Sequence, residues 1–384
     1  MIDREMIATW LEVACLAPSP HNNQPWVARA ASDGIILRLD HQLLPLLGPD
    51  RVQFIALGAF IENMSFAAAV DGYRLAVDEL PTVPRRTSEI TVRFCDGAEP
   101  GENAAIMLEG AKRRRTNRGR YESILPSGVT EQLRAVPCEP ATSLTLISGA
   151  ADRSAAADLA ARAMHVLFSV PELRRDLAPF VFTSADAPRR IGMPIESLNP
   201  AASTKVPGSQ WVLELASADE EAEAARARFE HAPLHFVVSS RTDTLPGWIA
   251  GGRTLQRVLV TATVLGLSHC LAAGPSEIPT LLPALRRLVD NCEGRPLILG
   301  RLGVPSFPEQ AIAAPRRPIA DFLIGSLSVP RQSYFGPAHP GSKIMRSWSA
   351  RWADIVAAQA VVYRLPLSAA EVTPSEPPCL PVSA

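Results

Sequence analysis

The stretch A-P-S-P-H-N-N-Q-P-W, residues 17–26, sets the hydroxyl of Ser19 and the amides of Asn22 and Gln24 among three prolines. Hydroxyl and carboxamide groups both donate and accept hydrogen bonds, and Pro18, Pro20 and Pro25 stiffen the backbone that carries them. A rigid neutral array of this kind suits a planar polar ligand. The same residues also fit a helix end followed by an Asx-type turn, which needs no ligand. A second candidate is K-R-R-R-T-N-R-G-R-Y, residues 112–121, where Arg113, Arg114, Arg115, Arg118 and Arg120 surround Thr116. Guanidinium groups grip phosphate bidentately and a hydroxyl adds a short bond, so the R-x-T-x-R array of Arg114, Thr116 and Arg118 is a candidate anion site. A solvated basic turn is the plainer alternative. Arg316 and Arg317, held between Pro315 and Pro318, could clamp the same phosphate from a second side. In L-A-A-G-P-S-E-I-P, residues 271–279, the small Ala273 and Gly274 open the backbone to close ligand approach. An ordinary turn capped by Ser276 fits that stretch equally.

Other chemistries lack their residues. The chain has no G-x-G-x-x-G after a strand, no Walker A loop, no H-E-x-x-H and no G-x-S-x-G. His21 stands beside no nucleophile in the sequence, so no catalytic side chain is assigned, and His165 reads as a satisfied core histidine on an apolar helix. The six cysteines form no C-x-x-C pair and the seven histidines do not cluster with them, so no metal site is expected and the thiols read as reduced. Lys plus Arg number 38 against 39 Asp plus Glu, a balance that points to neither nucleic acid nor an acidic membrane. The start M-I-D-R-E-M-I-A-T-W has no apolar leader core, and no uncharged apolar run approaches the roughly 18 residues of a membrane span. The expected address is the cytoplasm.

The elements that must position these groups alternate between helix and strand patterns. Residues 34–40, 90–94, 144–148 and 234–240 are short β-branched runs bounded by turn residues, and they predict strands. Residues 53–76 are apolar at helical spacing nearly all round, which predicts a buried helix; a second one is expected over 254–267, and an amphipathic helix over 158–170. A hydrophobic content of 47% with 20% charged residues supports a sizeable core. The order helix, strand, buried helix, strand occurs over 1–95 and again over 110–305, an α+β arrangement. Residues 184–210, rich in Pro, Ser and Gly, form a long excursion that is either a functional lid or a surface insertion. Beyond about 326 a linker leads to a helix with a stripe of Trp348, Trp352, Ile355, Val356 and Val362. The final 19 residues, 366–384, have the composition of a disordered tail.

Together these motifs resemble the nitroreductase family of flavoproteins, in its two-lobed Acg-like branch. Residues 17–26 are similar to the A-P-S-x-x-N-x-Q-P-W signature, 114–118 to the R-x-S/T-x-R/K phosphate motif, and 315–318 to a late arginine pair. Residues 247–267 resemble the W-x-x-x-G-x-x-L-x-R-x-L helix of the Acg-like branch. The resemblance spans about 1–325. It implies a nitroreductase-like fold with a first lobe over 1–105 and a second over 106–325, forming an intramolecular pseudo-dimer around central buried helices. The loop and the arginine motif then supply complementary halves of one FMN site. Ser19, Asn22 and Gln24 would face the ring and ribityl chain, and Arg114, Thr116 and Arg118 the phosphate, with Arg316 or Arg317. The backbone at Ala273 and Gly274 would face the ring. The implied activity is hydride transfer from NAD(P)H through FMN to a nitro, quinone or similar acceptor. The alternative is an FMN-storing protein whose lid blocks turnover. Either form is expected as a monomer or a homodimer.

Overall fold

The computed structural model describes residues 4–45, 50–83, 85–97, 102–184, 186–199, 205–289, 294–307 and 312–324. The stripe helix and the tail expected beyond 326 lie outside these residues.

The chain opens with α1 (Arg4–Ala14), then β1 (Trp26–Ala30), β2 (Gly34–Leu39), α2 (Arg51–Val70), β3 (Tyr73–Val77) and β4 (Ile90–Asp96). After α3 (Glu102–Arg113) and α4 (Val129–Arg134) come β5 (Thr142–Ile147), α5 (Ala150–Ser169) and α6 (Pro171–Leu177). A short parallel pair, β6 (Val181–Phe182) with β7 (Met193–Pro194), and the turn α7 (Gly208–Gln210) lead to α8 (Ala218–Glu230). The chain then runs through β8 (Leu234–Ser240), α9 (Leu245–Val264), β9 (Ser268–Ala272), α10 (Gly274–Glu277), α11 (Leu282–Arg287) and β10 (Arg295–Gly303). It finishes in β11 (Leu323–Ile324).

These elements build the expected α+β class as two sheets around two central helices. The first sheet has the order β11-β1-β2-β4-β3 and the second β5-β8-β10-β9. All their pairings are antiparallel except β1 with β11. Strand β8 is buried at all seven positions, polar His235, Ser239 and Ser240 included. The expected helix over 53–76 divides in two. Asp71 and Gly72 turn the chain, Gly72 with φ +84°, and the apolar spacing continues into β3. The second buried helix begins nine residues before the expected start, at Leu245, because Pro246 in the first turn loses no helical bond.

Helices α2 and α9 cross almost backbone to backbone. A Cβ on Gly58 would lie 2.2 Å from the Ile249 carbonyl oxygen, and one on Gly252 would lie 2.1 Å from that of Ile55. Gly58 on α2 and Gly252 on α9 are therefore what lets the two helices meet. Around them Asn63 Oδ1 accepts from Gln256 Nε2 at 2.6 Å. Glu62, 3% exposed, takes Arg253 Nε at 2.8 Å and Arg257 Nε at 2.5 Å.

Candidate functional site

The opening loop is fixed by bonds that strained backbone alone could not hold. His21, Asn22 and Gln24 have φ of 50°, 53° and 51°, a left-handed region that non-glycine residues rarely enter. Ser19 Oγ accepts from the Gln24 backbone N–H at 2.9 Å and closes the turn, while Asn23 Nδ2 donates to Gln53 Oε1 on α2. Asn22 Nδ2 donates to the Gly192 carbonyl at 2.9 Å, and the Gly192 N–H donates back to the Asn22 carbonyl at 3.1 Å. Gln24 Nε2 donates to the Arg190 carbonyl, and its Oε1 accepts from the Arg317 N–H at 2.8 Å. The amides thus tie the loop to residues 190–192 and 315–317. His21 stacks on Phe180 with centroids 6.3 Å apart. Burial, helped by Arg118, lowers its pKa to about 4, so the ring is neutral.

The arginine turn runs beside β9. Thr116 pairs with His269 in a parallel bridge, and the Asn117 N–H donates to the His269 carbonyl. Arg114, 1% exposed, donates from Nη2 to the Leu16 carbonyl at 2.8 Å and lies 3.1 Å from His269 Nε2 through Nη1. Arginine has only donors, so that ring nitrogen accepts and His269 is neutral, in keeping with a pKa pushed well down by burial and by Arg114. Arg316 reaches the same Leu16 carbonyl and donates to Asn22 Oδ1 at 2.8 Å. Burial, with each other's charge for Arg114, lowers Arg114 to about 9 and Arg316 to about 10.

A cavity of about 350 Å³ opens between these two stretches. Pro18–His21 and helix α2 form one side, with Gln53, Ala56 and Ala59. Thr116, Arg118 and residues 270–274 form another, while α5, α6 and α8 close it with Met164, Phe168, Leu177 and Phe229. Met193 and Leu198, from the excursion after β6, complete the wall. The lining is mostly apolar, with charge confined to a few groups. Arg228 is one, and its Nη1 donates to the Leu198 carbonyl at 2.9 Å. Glu221 accepts from Asn199 Nδ2, and burial pushes its pKa up against that bond. Glu277 Oε1 accepts from Arg51 Nη1 at 2.7 Å, while its buried Oε2 has no partner. Burial raises the Cys270 thiol, but Arg301, Arg118 and Arg228 outweigh it and hold the pKa below the usual value.

Five buried or half-buried arginines near this cavity have no carboxylate within 4.0 Å among the described residues. They are Arg114, Arg118, Arg228, Arg301 and Arg316, and their partners are carbonyls, Asn22, His269 and the Met193 sulfur. By contrast, Arg317 is paired with Asp40 at 3.2 Å and Arg51 with Asp243 and Glu277, whereas half-buried Arg153 and Arg174, like the five, meet only carbonyls.

Of the residues singled out in the sequence, Ser19, Thr116, Arg118, Ala273 and Gly274 line the cavity together. Asn22, Gln24, Arg114, Arg316 and Arg317 lie behind that lining, and Gln24 and Arg317 face each other in the core. His165 bonds Ser169 Oγ and lies 3.2 Å from Asp219, as a satisfied histidine would. Arg228, Glu221, Cys270 and Glu277 were not singled out. They come from α8, β9 and α10, and no local spacing marks them as neighbours. No group of three or more His, Cys, Asp or Glu is placed to hold a metal among the described residues. One helix there, α2, is long and apolar enough to cross a membrane, and 83% of its apolar window is buried inside the protein.

No family model matches the chain. It is 27% identical over 329 residues to "Putative NAD(P)H nitroreductase Rv3131" of Mycobacterium tuberculosis, covering 84% of this chain and 92% of that protein. It is 26% identical over 327 residues to "Putative NAD(P)H nitroreductase acg" of the same organism, covering 83% and 95%. Among solved structures, the FMN-dependent nitroreductase NfnB of Mycobacterium smegmatis, in complex with NADPH, is 16% identical over 56% of this chain and 96% of that one. The TM-score of that match is 0.36. By sequence, along most of its length, the chain is similar to the Acg-like nitroreductases that its motifs resemble.

Proposed function

We propose that this chain is an FMN-dependent oxidoreductase of the nitroreductase type, moving hydride from NAD(P)H to a nitro, quinone or similar acceptor. The observation that carries the reading is the set of guanidinium groups without carboxylate partners beside an apolar cavity. A buried charge left unpaired is unfavourable by several kcal/mol, so five such groups call for a resident anion. FMN fits both halves of the demand, with an apolar ring and an anionic phosphate. The orphaned Nε atoms of Arg114, Arg301 and Arg316 accord with a missing acceptor. A nitroreductase name on relatives that the chain matches over most of their length supports the same reading.

In this reading Arg114, Thr116, Arg118 and Arg316 hold the phosphate end, while Ser19, Ala273 and Gly274 border the ring. Asn22, Gln24 and Arg317 act one step back, fixing the loop that carries Ser19. Bound FMN supplies the hydride chemistry. The chain contributes position, positive charge and exclusion of water, which needs no catalytic triad. The first lobe would span 1–105 and the second 106–325, with one cofactor per chain.

A second reading, storage of FMN with little turnover, is favoured by residues 186–199. They are bonded to the opening loop at Asn22 and Gln24 and to α8 at Glu221 and Arg228, and they place Met193 and Leu198 in the cavity wall. A fixed cover would keep nicotinamide off the ring. One experiment separates the two readings: an absorption spectrum of the purified protein, then anaerobic NADH or NADPH. A flavin spectrum that bleaches within seconds supports the reductase, and one that bleaches only with dithionite supports storage. A colourless protein that does not retain added FMN overturns both.

A further inference from the structure

The cavity has a wide end and a narrow one. Ser19, Thr116, Ala273 and Gly274, where the proposed reading puts FMN, are half-buried. On another wall, helix α5 turns Ala160, Ala163, Met164, Leu167 and Phe168 to the lining, at i, i+3, i+4, i+7 and i+8. That spacing is one face of a helix, about 12 Å long at 1.5 Å per residue. Leu173 and Leu177 of α6 extend it. Ala160, Phe168, Leu173 and Leu177 border the cavity yet are between 2% and 8% exposed, so the space along them is narrow. The two ends join at Ala163, whose Cβ lies 2.7 Å from where a Cβ on Gly274 would stand. Among the described residues, Asp176 is the one charged side chain that α5 and α6 add to the lining. The polar Gln53, Arg118 and Glu277 come from other elements.

Resting on the reductase reading above, we infer that the acceptor is a quinone with an aliphatic chain, its head group at the wide end beside Gly274 and its chain along the α5 face. A narrow apolar path of that length fits the width of an alkyl or prenyl chain and not that of a fused ring. Such a chain has no hydrogen bonds to satisfy, and each methylene contributes by leaving water. Of the acceptor classes in that reading, quinones combine a planar head that takes two electrons with a hydrocarbon tail. A small nitroaromatic has nothing to place along α5. Met193 and Leu198, from the excursion after β6, add further apolar surface to the same lining. The face on α5 therefore sets which acceptor is held, while the opposite walls hold the cofactor.

Equilibrium dialysis of the oxidised holoprotein, with no NAD(P)H present, reads affinity without turnover. The probes are menadione and naphthoquinones carrying butyl, octyl or dodecyl chains. Affinity should rise about fourfold for each methylene buried, and level off once the chain outgrows the roughly 12 Å face. Leu167→Gln sets an amide in the path of the chain. It should cut octyl-quinone affinity about tenfold, while menadione and FMN stay within about threefold. A flat series in the wild type overturns the inference and needs no variant to fold. Octanol binding as tightly as the octyl quinone overturns it too, because the face would then take a lipid and not an acceptor. So does loss of FMN in Leu167→Gln, which would put the cofactor itself along α5. A wild-type protein that retains no FMN overturns the FMN reading, a different failure from a holoprotein indifferent to chain length.

Discussion

Two groups of buried or half-buried arginines in this molecule have opposite surroundings. Where α2 crosses α9, Arg253 and Arg257 face Glu62 and Glu139, two cations against two anions, all nearly buried. Around the cavity, Arg114, Arg118, Arg228, Arg301 and Arg316 face carbonyls, an amide, a neutral imidazole and a sulfur. The first region is electrically complete and joins α2 to α9. The second has no carboxylate within 4.0 Å among the described residues, which in the proposed reading an anionic cofactor would supply. Arginines read alike in sequence in both cases, and only the fold shows where their carboxylates lie.

The largest effect expected from that contrast is on cofactor retention. Arg114→Ala with Arg118→Ala should weaken FMN on the order of 10³-fold, since each charged hydrogen bond contributes about 1.5–3 kcal/mol. The apoprotein should still fold, its urea midpoint lowered by no more than the cost, about 1–3 kcal/mol, of leaving the buried His269 ring nitrogen without its donor. Equilibrium dialysis with flavin fluorescence reads the first and a denaturation curve the second; a double variant that purifies with stoichiometric FMN refutes the assignment. Glu62→Ala should do the reverse. It leaves Arg253 and Arg257 short of a buried partner at a cost of about 3–5 kcal/mol, visible as a lower urea midpoint, while FMN affinity holds. If Glu62→Ala sheds FMN at full stability, the two regions are not distinct.

The smallest effect concerns the neutral rings near both regions. Burial lowers His235 to about 4 and pushes His269 well down. A histidine with a depressed folded pKa takes its proton first in the unfolded chain. Its stabilisation is therefore full above about pH 6.5 and is lost as pH falls toward the folded value. By pH 5.5 each such ring should subtract about 1 kcal/mol. Thermal melts at pH 7.5 and 5.5 should show the drop, and His235→Gln should reduce it; an equal drop in that variant would exclude His235 as its source.

Elements with one strong local signal were legible in the sequence. Strand β8 is bounded as expected, over 234–240, because its Leu-x-Phe-Val-Val centre is buried on both faces. Boundaries set by tertiary contact were not. The α2 register runs on into β3 because only Asp71 and Gly72 interrupt it, and the start of α9 is masked by glycines that pack on Thr242, Leu297 and Ile55, contacts no local spacing contains. In the site, the loop and the arginine turn stood out because their residues are neighbours in sequence. Arg228, Cys270 and Glu277 sit on separate elements and become neighbours only after β9 and α8 dock. Gln24 and Arg317, which resemble ligand-binding positions by motif, bond each other, a pairing across 293 residues that no spacing rule contains.

That pairing also bears on how the chain is made. Strand β1 receives its parallel neighbour β11 from near the end of the described chain, and Gln24 meets the Arg317 amide only there. While the ribosome is still translating the middle of the message, the N-terminal sheet has one edge open and a strained turn without its anchors. Contacts of such long sequence separation form late and slowly. The nascent N-terminal half must wait, with an unpaired strand edge that is open to mispairing or to chaperone capture, until residues through 324 emerge.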